Sequence, residues 1–174
     1  CPDCAKEYND PVTRRYDAQP VCCNECGPEV YLIGREERGR EAITYARKTI
    51  AEGGIVAIKG IGGFHLCCDA SDETAVSRLR QLKHRPMKPF AVMAKDLKAV
   101  RKECEVSTEQ VRILDGHQKP ILLLDKKKEA KNLCLSVAPG NPKVGVMLPY
   151  APVQLLIFTY DDGIEIPEFL VMTS

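Results

Sequence analysis

No apolar run in this 174-residue chain approaches the roughly 20 residues needed to cross a bilayer, and no stretch resembles a secretory signal segment. A membrane span and an extracellular, disulfide-held setting are therefore not expected. Charge of one sign is missing too. The 25 Lys and Arg against 24 Asp and Glu leave a net charge of +1, which gives the whole molecule no field for nucleic acid or an anionic membrane. Any such partner would need a local patch. There is no nucleophile elbow, no H-E-x-x-H and no clear carboxylate pair, so hydrolytic and acid–base chemistry lack support. Internal repeats and low-complexity segments are absent as well.

What is present is enough apolar material, 44% of residues, for one ordinary domain with a small appendage. The nine cysteines, without secretory features, fit a reducing cytoplasm. Four of them form two C-x₂-C pairs, Cys1-Pro2-Asp3-Cys4 and Cys23-Asn24-Glu25-Cys26, separated by eighteen residues. Each pair can fold as a tight knuckle that turns both sulfurs toward one point, and two knuckles supply the tetrahedral thiolate shell that Zn²⁺ prefers. Iron in a rubredoxin-like site is the next reading, ahead of disulfide or redox use. With all four positions filled by protein, such a site is structural. Cys23 fits the spacing better than Cys22. Gly27 is expected to relieve the backbone with a positive φ where the second knuckle ends. Cys67, Cys68, Cys104 and Cys134 read as small buried hydrophobes.

Residues 1–30 are poor in aliphatics, so metal binding is expected to supply their folding free energy. The division expected is a Cys4 module over 1–35 and an α/β domain over 36–174. Ala42, Ile43, Ala46, Ile50 and Ala51 follow helical spacing up to Gly53-Gly54. Ile55–Ile58 reads as a strand. Ser71 or Asp72 caps a helix bearing Ala75, Val76, Leu79 and Leu82, with Pro86 as its terminator. Phe90–Ala94, Ile121–Leu124 and Val144–Leu148 read as strands, Asp96–Cys104 and Thr108–Asp115 as helices, and Leu155–Phe158 as part of an amphipathic stretch. This alternation predicts an α/β layer with a mixed sheet and flanking helices. The final Phe169–Ser174 strand needs a sheet neighbour and a following turn, which suggests a piece of a longer protein.

Between Thr74 and Lys95 stand Arg78, Arg80, Lys83, Arg85, Lys88 and Lys95, without one carboxylate. Arg78 and Arg80 read as a solvated helix face. Lys83, Arg85 and Lys88 sit where the helix runs out and Pro86 forces an extended turn, so their heads can converge on a phosphate. Lys59-Gly60-Ile61-Gly62-Gly63 follows a strand, where backbone amides often approach phosphate, but it matches neither a P-loop nor a dinucleotide fingerprint. A structural turn explains it equally well. His65 reads as a core histidine, His84 as part of the basic turn and His117 as a loop residue.

Taken together, these motifs resemble the HypF family of hydrogenase-maturation carbamoyltransferases. Cys-Pro-Asp-Cys, Glu7-Tyr8-Asn9-Asp10-Pro11, Arg14-Arg15-Tyr16, Ala18-Gln19-Pro20 and Cys23-x-x-Cys26-Gly27-Pro28 are similar to the second of that family's two zinc-finger-like motifs. The stretches Ala57–Leu66, Cys68-Asp69-Ala70, Lys83-x-Arg85-Pro86-x-Lys88-Pro89-Phe90, Gly145–Tyr150 and Val171–Ser174 resemble its YrdC-like domain. Three positions depart from the pattern: Asp17 stands where histidine is usual, Cys22 where a small residue is usual, and Val153-Gln154-Leu155 where a histidine-containing stretch is expected.

The resemblance implies a YrdC-like fold that joins carbamate to ATP, giving carbamoyl adenylate and pyrophosphate. Carbamate would come from carbamoyl phosphate. The carbamoyl group would pass to a cysteine of HypE for cyanide-ligand synthesis in nickel–iron hydrogenase. It places Lys83 and Arg85 in the catalytic role and Lys59, Lys88 and Ser174 in nucleotide or substrate binding. Zn²⁺ is implied at Cys1, Cys4, Cys23 and Cys26, and Mg²⁺ as the counterion of ATP. Two other readings share the core: threonylcarbamoyl-adenylate synthesis for tRNA modification, and an RNA-binding module. The finger's few aromatics and the near-neutral charge argue against nucleic acid.

Overall fold

The computed structural model describes all 174 residues, which divide into two compact units, Cys1–Gly39 and Arg40–Ser174. In the first, helix α1 (Pro2–Asn9) begins with Cys1 at its cap and Pro2 at its start, where a missing N–H is harmless. Cys4 is the one buried apolar residue of this unit. The remainder is turns. The Tyr8 hydroxyl donates to Asp17 Oδ1 at 2.8 Å, and Asp17 adopts a left-handed φ of 51°. In this chain the residue in the usual histidine position therefore fastens a turn to α1.

The second unit starts with α2 (Gly39–Ala51), whose Ala42, Ile43, Ala46 and Ile50 are buried at the expected spacing. Its sheet comprises β1 (Val56–Lys59), β2 (Phe64–Asp69), β3 (Ala91–Ala94), β4 (Cys104–Glu105), β5 (Leu122–Lys126), β6 (Lys143–Met147) and β7 (Phe169–Thr173). Strand order is β1-β2-β7-β3-β6-β5-β4. Only β3 and β6 run parallel; every other pairing is antiparallel. This is the mixed sheet expected. The remaining helices are α3 (Glu73–Leu82), α4 (Leu97–Glu103), α5 (Thr108–Leu114) and α6 (Pro152–Thr159).

Side-chain alternation sorts the core into two layers. Cys68, Val92, Val146 and Val171 pack with α3 and α4, whereas Cys67, Met93, Met147, Leu170 and Met172 pack with α2 and α6. Strand β7 lies between β2 and β3 and is buried throughout. The expectation of a strand short of a neighbour is thus corrected, because β7 has one on both sides. Buried Arg47 pairs with Asp162 at 3.0 Å and donates to the carbonyls of Ile157 and Ile164, which closes the loop after α6.

Helix α3 starts at Asp72, whose carboxylate accepts from the amides of Thr74 and Ala75. It stops at Leu82, four residues ahead of Pro86. His84 turns left-handed at φ 48°, and the Arg85 amide reaches back to the Arg80 carbonyl at 3.0 Å. Hydrogen-bonded closure, and not proline, ends the helix.

Candidate functional site

The four cysteines of the two C-x₂-C pairs converge, with every sulfur within 4.8 Å of the others. Cys1 and Cys23 lie 3.7 Å apart, Cys4 and Cys26 3.6 Å, and Cys23 and Cys26 3.8 Å. A tetrahedral ion with metal–sulfur bonds of about 2.3 Å sets its sulfurs about 3.8 Å apart, so the residues fit such an ion. Cys22 is exposed and outside the cluster. The first pair sits on the opening turn of α1 instead of a free knuckle, and the second is a turn closed by the Gly27 amide donating to Cys23 O at 2.8 Å. Gly27 does not adopt a positive φ. A Cβ there would stand 2.7 Å from that carbonyl, so close approach is the reason for glycine. Burial, reinforced by the Cys26 thiol, raises Cys4 to about 11. A hydrogen bond with the Cys23 backbone, then contacts from the Cys4 and Cys23 thiols, hold Cys26 down to about 7. Of these two, Cys26 offers a thiolate at the lower pH.

In the second unit, the solvated-face reading holds for exposed Arg78 and fails for Arg80. Arg80 is buried and donates to the carbonyls of Ser136, Arg85, Pro86, Lys88 and Val137, while its guanidinium lies 4.5 Å from the Phe90 ring centre. No carboxylate bonds to it directly; main-chain oxygens take its donors, and the Glu73 charge acts on it from beyond hydrogen-bond range. Burial, then the Arg85 charge, lowers its pKa from the ordinary arginine value. Arg78 stays on the surface and donates to Gly53 O.

Arg85 is held in a comparable way. Its Nε donates to Lys88 O at 3.2 Å, Nη2 to Pro89 O at 2.5 Å and Nη1 to Thr173 Oγ1 at 3.3 Å, with Phe90 4.9 Å away. Three of five N–H groups are engaged, which fixes the fork and leaves two for a ligand. Lys83 Nζ meets the Ser174 main-chain oxygen at 2.5 Å. Lys83, Arg85 and Ser174 therefore gather where β7 ends. A cleft of about 310 Å³ opens there, lined in part by His65, Arg85, Lys119, Tyr150 and Ser174, with no carboxylate. Lys59 lies over Phe64 (5.3 Å), Lys88 turns its carbonyl toward Arg80 and Arg85, and Lys83 reaches the site only through its bond to Ser174 O; none of the three lines the cleft. A larger hollow of about 710 Å³ beside residues 158–166 carries Asp161 and Glu165 as well as Lys95, and its Arg47 is already paired with Asp162. Its charges suit an anion less well than the smaller cleft does.

His65, read from the sequence as a core histidine, is only half-buried and lines the smaller cleft. Its position in β2 puts it on the same sheet face as Cys67, two residues on. The glycine loop is the β1–β2 hairpin turn, with the Gly60 amide on Gly63 O at 2.7 Å. Gly60 also leaves room for the imidazole: a Cβ there would lie 3.1 Å from His65 Nδ1. Gln154, in the departing Val153-Gln154-Leu155 stretch, is buried and accepts from the amides of Tyr150 and Ala151, so it caps α6.

Residues 48–174 match the Sua5/YciO/YrdC family model, described as telomere recombination, and residues 1–33 match the model described as the HypF finger. The chain belongs to the Sua5/YciO/YrdC family. Its relatives are HypF proteins. It is 42% identical to carbamoyltransferase HypF of Rhodobacter capsulatus over 175 residues, covering all of this chain and 22% of that protein. The probable carbamoyltransferase HypF of Methanocaldococcus jannaschii is 36% identical over 91% of this chain and 27% of its own length. A crystal structure of full-length HypF in the phosphate- and nucleotide-bound form superposes with a TM-score of 0.82 at 44% identity, covering all of this chain and 22% of that one. Sua5 of P. abyssi complexed with L-threonine, at 22% identity and TM-score 0.64 over 80% of this chain and 40% of that one, shares the fold. The chain thus spans about a fifth to a quarter of the length of these HypF relatives. No helix is long and apolar enough to cross a membrane.

Proposed function

We propose that this chain is the finger and adenylate-forming portion of a HypF-type hydrogenase-maturation carbamoyltransferase acting in the cytoplasm. The observation that carries the reading is the cleft lined by Arg85, Lys119 and Ser174 without a carboxylate, with Lys83 bonded to the Ser174 main-chain oxygen beside it. A relative crystallised with phosphate and nucleotide supports it. The substrates are ATP, with Mg²⁺ as its counterion, and carbamate derived from carbamoyl phosphate. A carbamate oxygen attacks the α-phosphorus; the bond from that phosphorus to the bridging oxygen breaks, and pyrophosphate leaves with the electron pair. Carbamoyl adenylate remains. Lys83 and Arg85 stabilise charge on the phosphates and need no protein nucleophile. In the longer protein the carbamoyl group goes on to the C-terminal cysteine of a HypE-type partner.

Zn²⁺ at Cys1, Cys4, Cys23 and Cys26 would hold the finger together, with no open position for catalysis. Threonylcarbamoyl-adenylate synthesis and RNA binding share the core fold, but no residue described above favours either. The test is calorimetric titration of ATP into wild type, Arg85→Ala and Lys83→Ala at low salt. Loss of a charge-assisted fork at Arg85 should weaken binding by about 1.5–3 kcal/mol. Equal affinities in all three proteins would end this reading.

A further inference from the structure

Lys119 lies in the cleft with Arg85 and Ser174, yet it is committed elsewhere. Its Nζ donates to Asp115 Oδ1 at 2.9 Å and to Asp115 O at 3.3 Å. Asp115 is the C-cap of α5, where a carboxylate faces the negative end of the helix and a cation is welcome. Taken alone, that pairing describes a helix-end contact. Two further observations say more. Lys119 adopts a left-handed φ of 42°, although it has a side chain and precedes Pro120, which further restricts its backbone. Strain of this kind persists where the surroundings impose it, and it concentrates at ligand sites. The partner is also weakly held: Asp115 is 61% exposed, and such surface pairs contribute little.

We infer that Lys119 is a third anion-binding residue of this cleft, parked on Asp115 until a polyphosphate arrives and then transferred to it. The inference rests on the reading of the cleft as a nucleotide site and adds a residue to it. Three of the five Arg85 donors are engaged, at Lys88 O, Pro89 O and Thr173 Oγ1, and Lys83 is engaged at Ser174. Lys119 is the cation of the lining whose partner is an exposed side chain, so it is the one most readily exchanged for a ligand. The leaving pyrophosphate, with its several anionic oxygens and no carboxylate facing it, is the group such a cation suits. Asp115 then acts as a competitor that keeps the empty site from holding stray anions.

Titrating pyrophosphate and ATP into wild type, Lys119→Gln, Asp115→Asn and the double variant tests this. Lys119→Gln should weaken pyrophosphate binding about tenfold or more. Asp115→Asn should tighten it by about two- to fivefold by freeing the amine. In the double variant the gain should vanish, because no amine remains to be freed. Unchanged affinity in Lys119→Gln, with Arg85→Ala still weakened, would overturn the role of Lys119 alone. A gain from Asp115→Asn that survives in the double variant would also overturn it, as general charge removal explains such a gain. If wild type binds neither pyrophosphate nor ATP, the reading of the cleft falls and this inference falls with it.

Discussion

Lys83 Nζ donates to the main-chain oxygen of Ser174 at 2.5 Å, across 91 positions of sequence. That contact joins the end of α3 to the end of β7, whose Ser174 lines the cleft with Arg85. The basic turn and the strand end are thus brought together by tertiary structure, although 91 positions separate them in the chain.

The thiolate cluster should hold one metal ion per chain. Cys23→Ala should lose it, whereas Cys22→Ala should keep it, as read by elemental analysis. Equal loss in both would overturn the assignment. Gly27→Ala should lower metal affinity, because a Cβ 2.7 Å from Cys23 O forces that carbonyl to move. Binding requires thiolates, so affinity should fall as pH falls and protons reoccupy them. With Cys26 near 7 and Cys4 near 11, protons should be released on binding at neutral pH, and buffers of different ionisation enthalpy can report this.

Arg80→Met keeps bulk against Phe90 but removes the donors for carbonyls at Ser136, Arg85, Pro86, Lys88 and Val137. Unfolding by urea should show a loss on the order of 3 kcal/mol. A loss within about 0.5 kcal/mol would mean the surface reading of Arg80 was adequate.

That arginine marks the boundary of what the sequence revealed. The helices around Ala46, Val76 and Val100 were legible because their apolar spacing matches one buried face, and the strands at Ala91, Val144 and Phe169 because each is a short, nearly continuous apolar run. The cysteine pairs were legible because metal geometry dictates their spacing. Strand β2 was not identified, since His65 and Asp69 interrupt the apolar run of Phe64–Asp69 without setting up a clean alternation. Arg80 was misread because carbonyl oxygens from distant turns, invisible in the pattern, balance its charge. His65 and Lys119 join the cleft only through pairing and through a left-handed turn, neither of which has a local signature.

Asp162 gives the acid behaviour. Burial pushes its carboxyl up, but the Ile164 amide, the Thr44 hydroxyl and the Arg47 charge outweigh this and leave it below the usual 3.8. A lowered folded value means stability that is present above the unfolded value and is lost as pH falls through the folded one. Asp162→Ala should cost about 3–5 kcal/mol at neutral pH, because Arg47 is left buried and unpaired. The gap between wild type and variant should narrow as pH drops below 3.8. A gap constant down to pH 2 would contradict the ionic pairing.

The most direct test of the central claim is a nitrogen–proton correlation spectrum of the labelled chain titrated with ATP and Mg²⁺. The account predicts the largest shifts at the amides of His65, Thr173 and Ser174 and along Lys83–Lys88, with Arg85→Ala reducing them together. Shifts centred on residues 159–166, or none at all, would contradict a nucleotide site in this cleft.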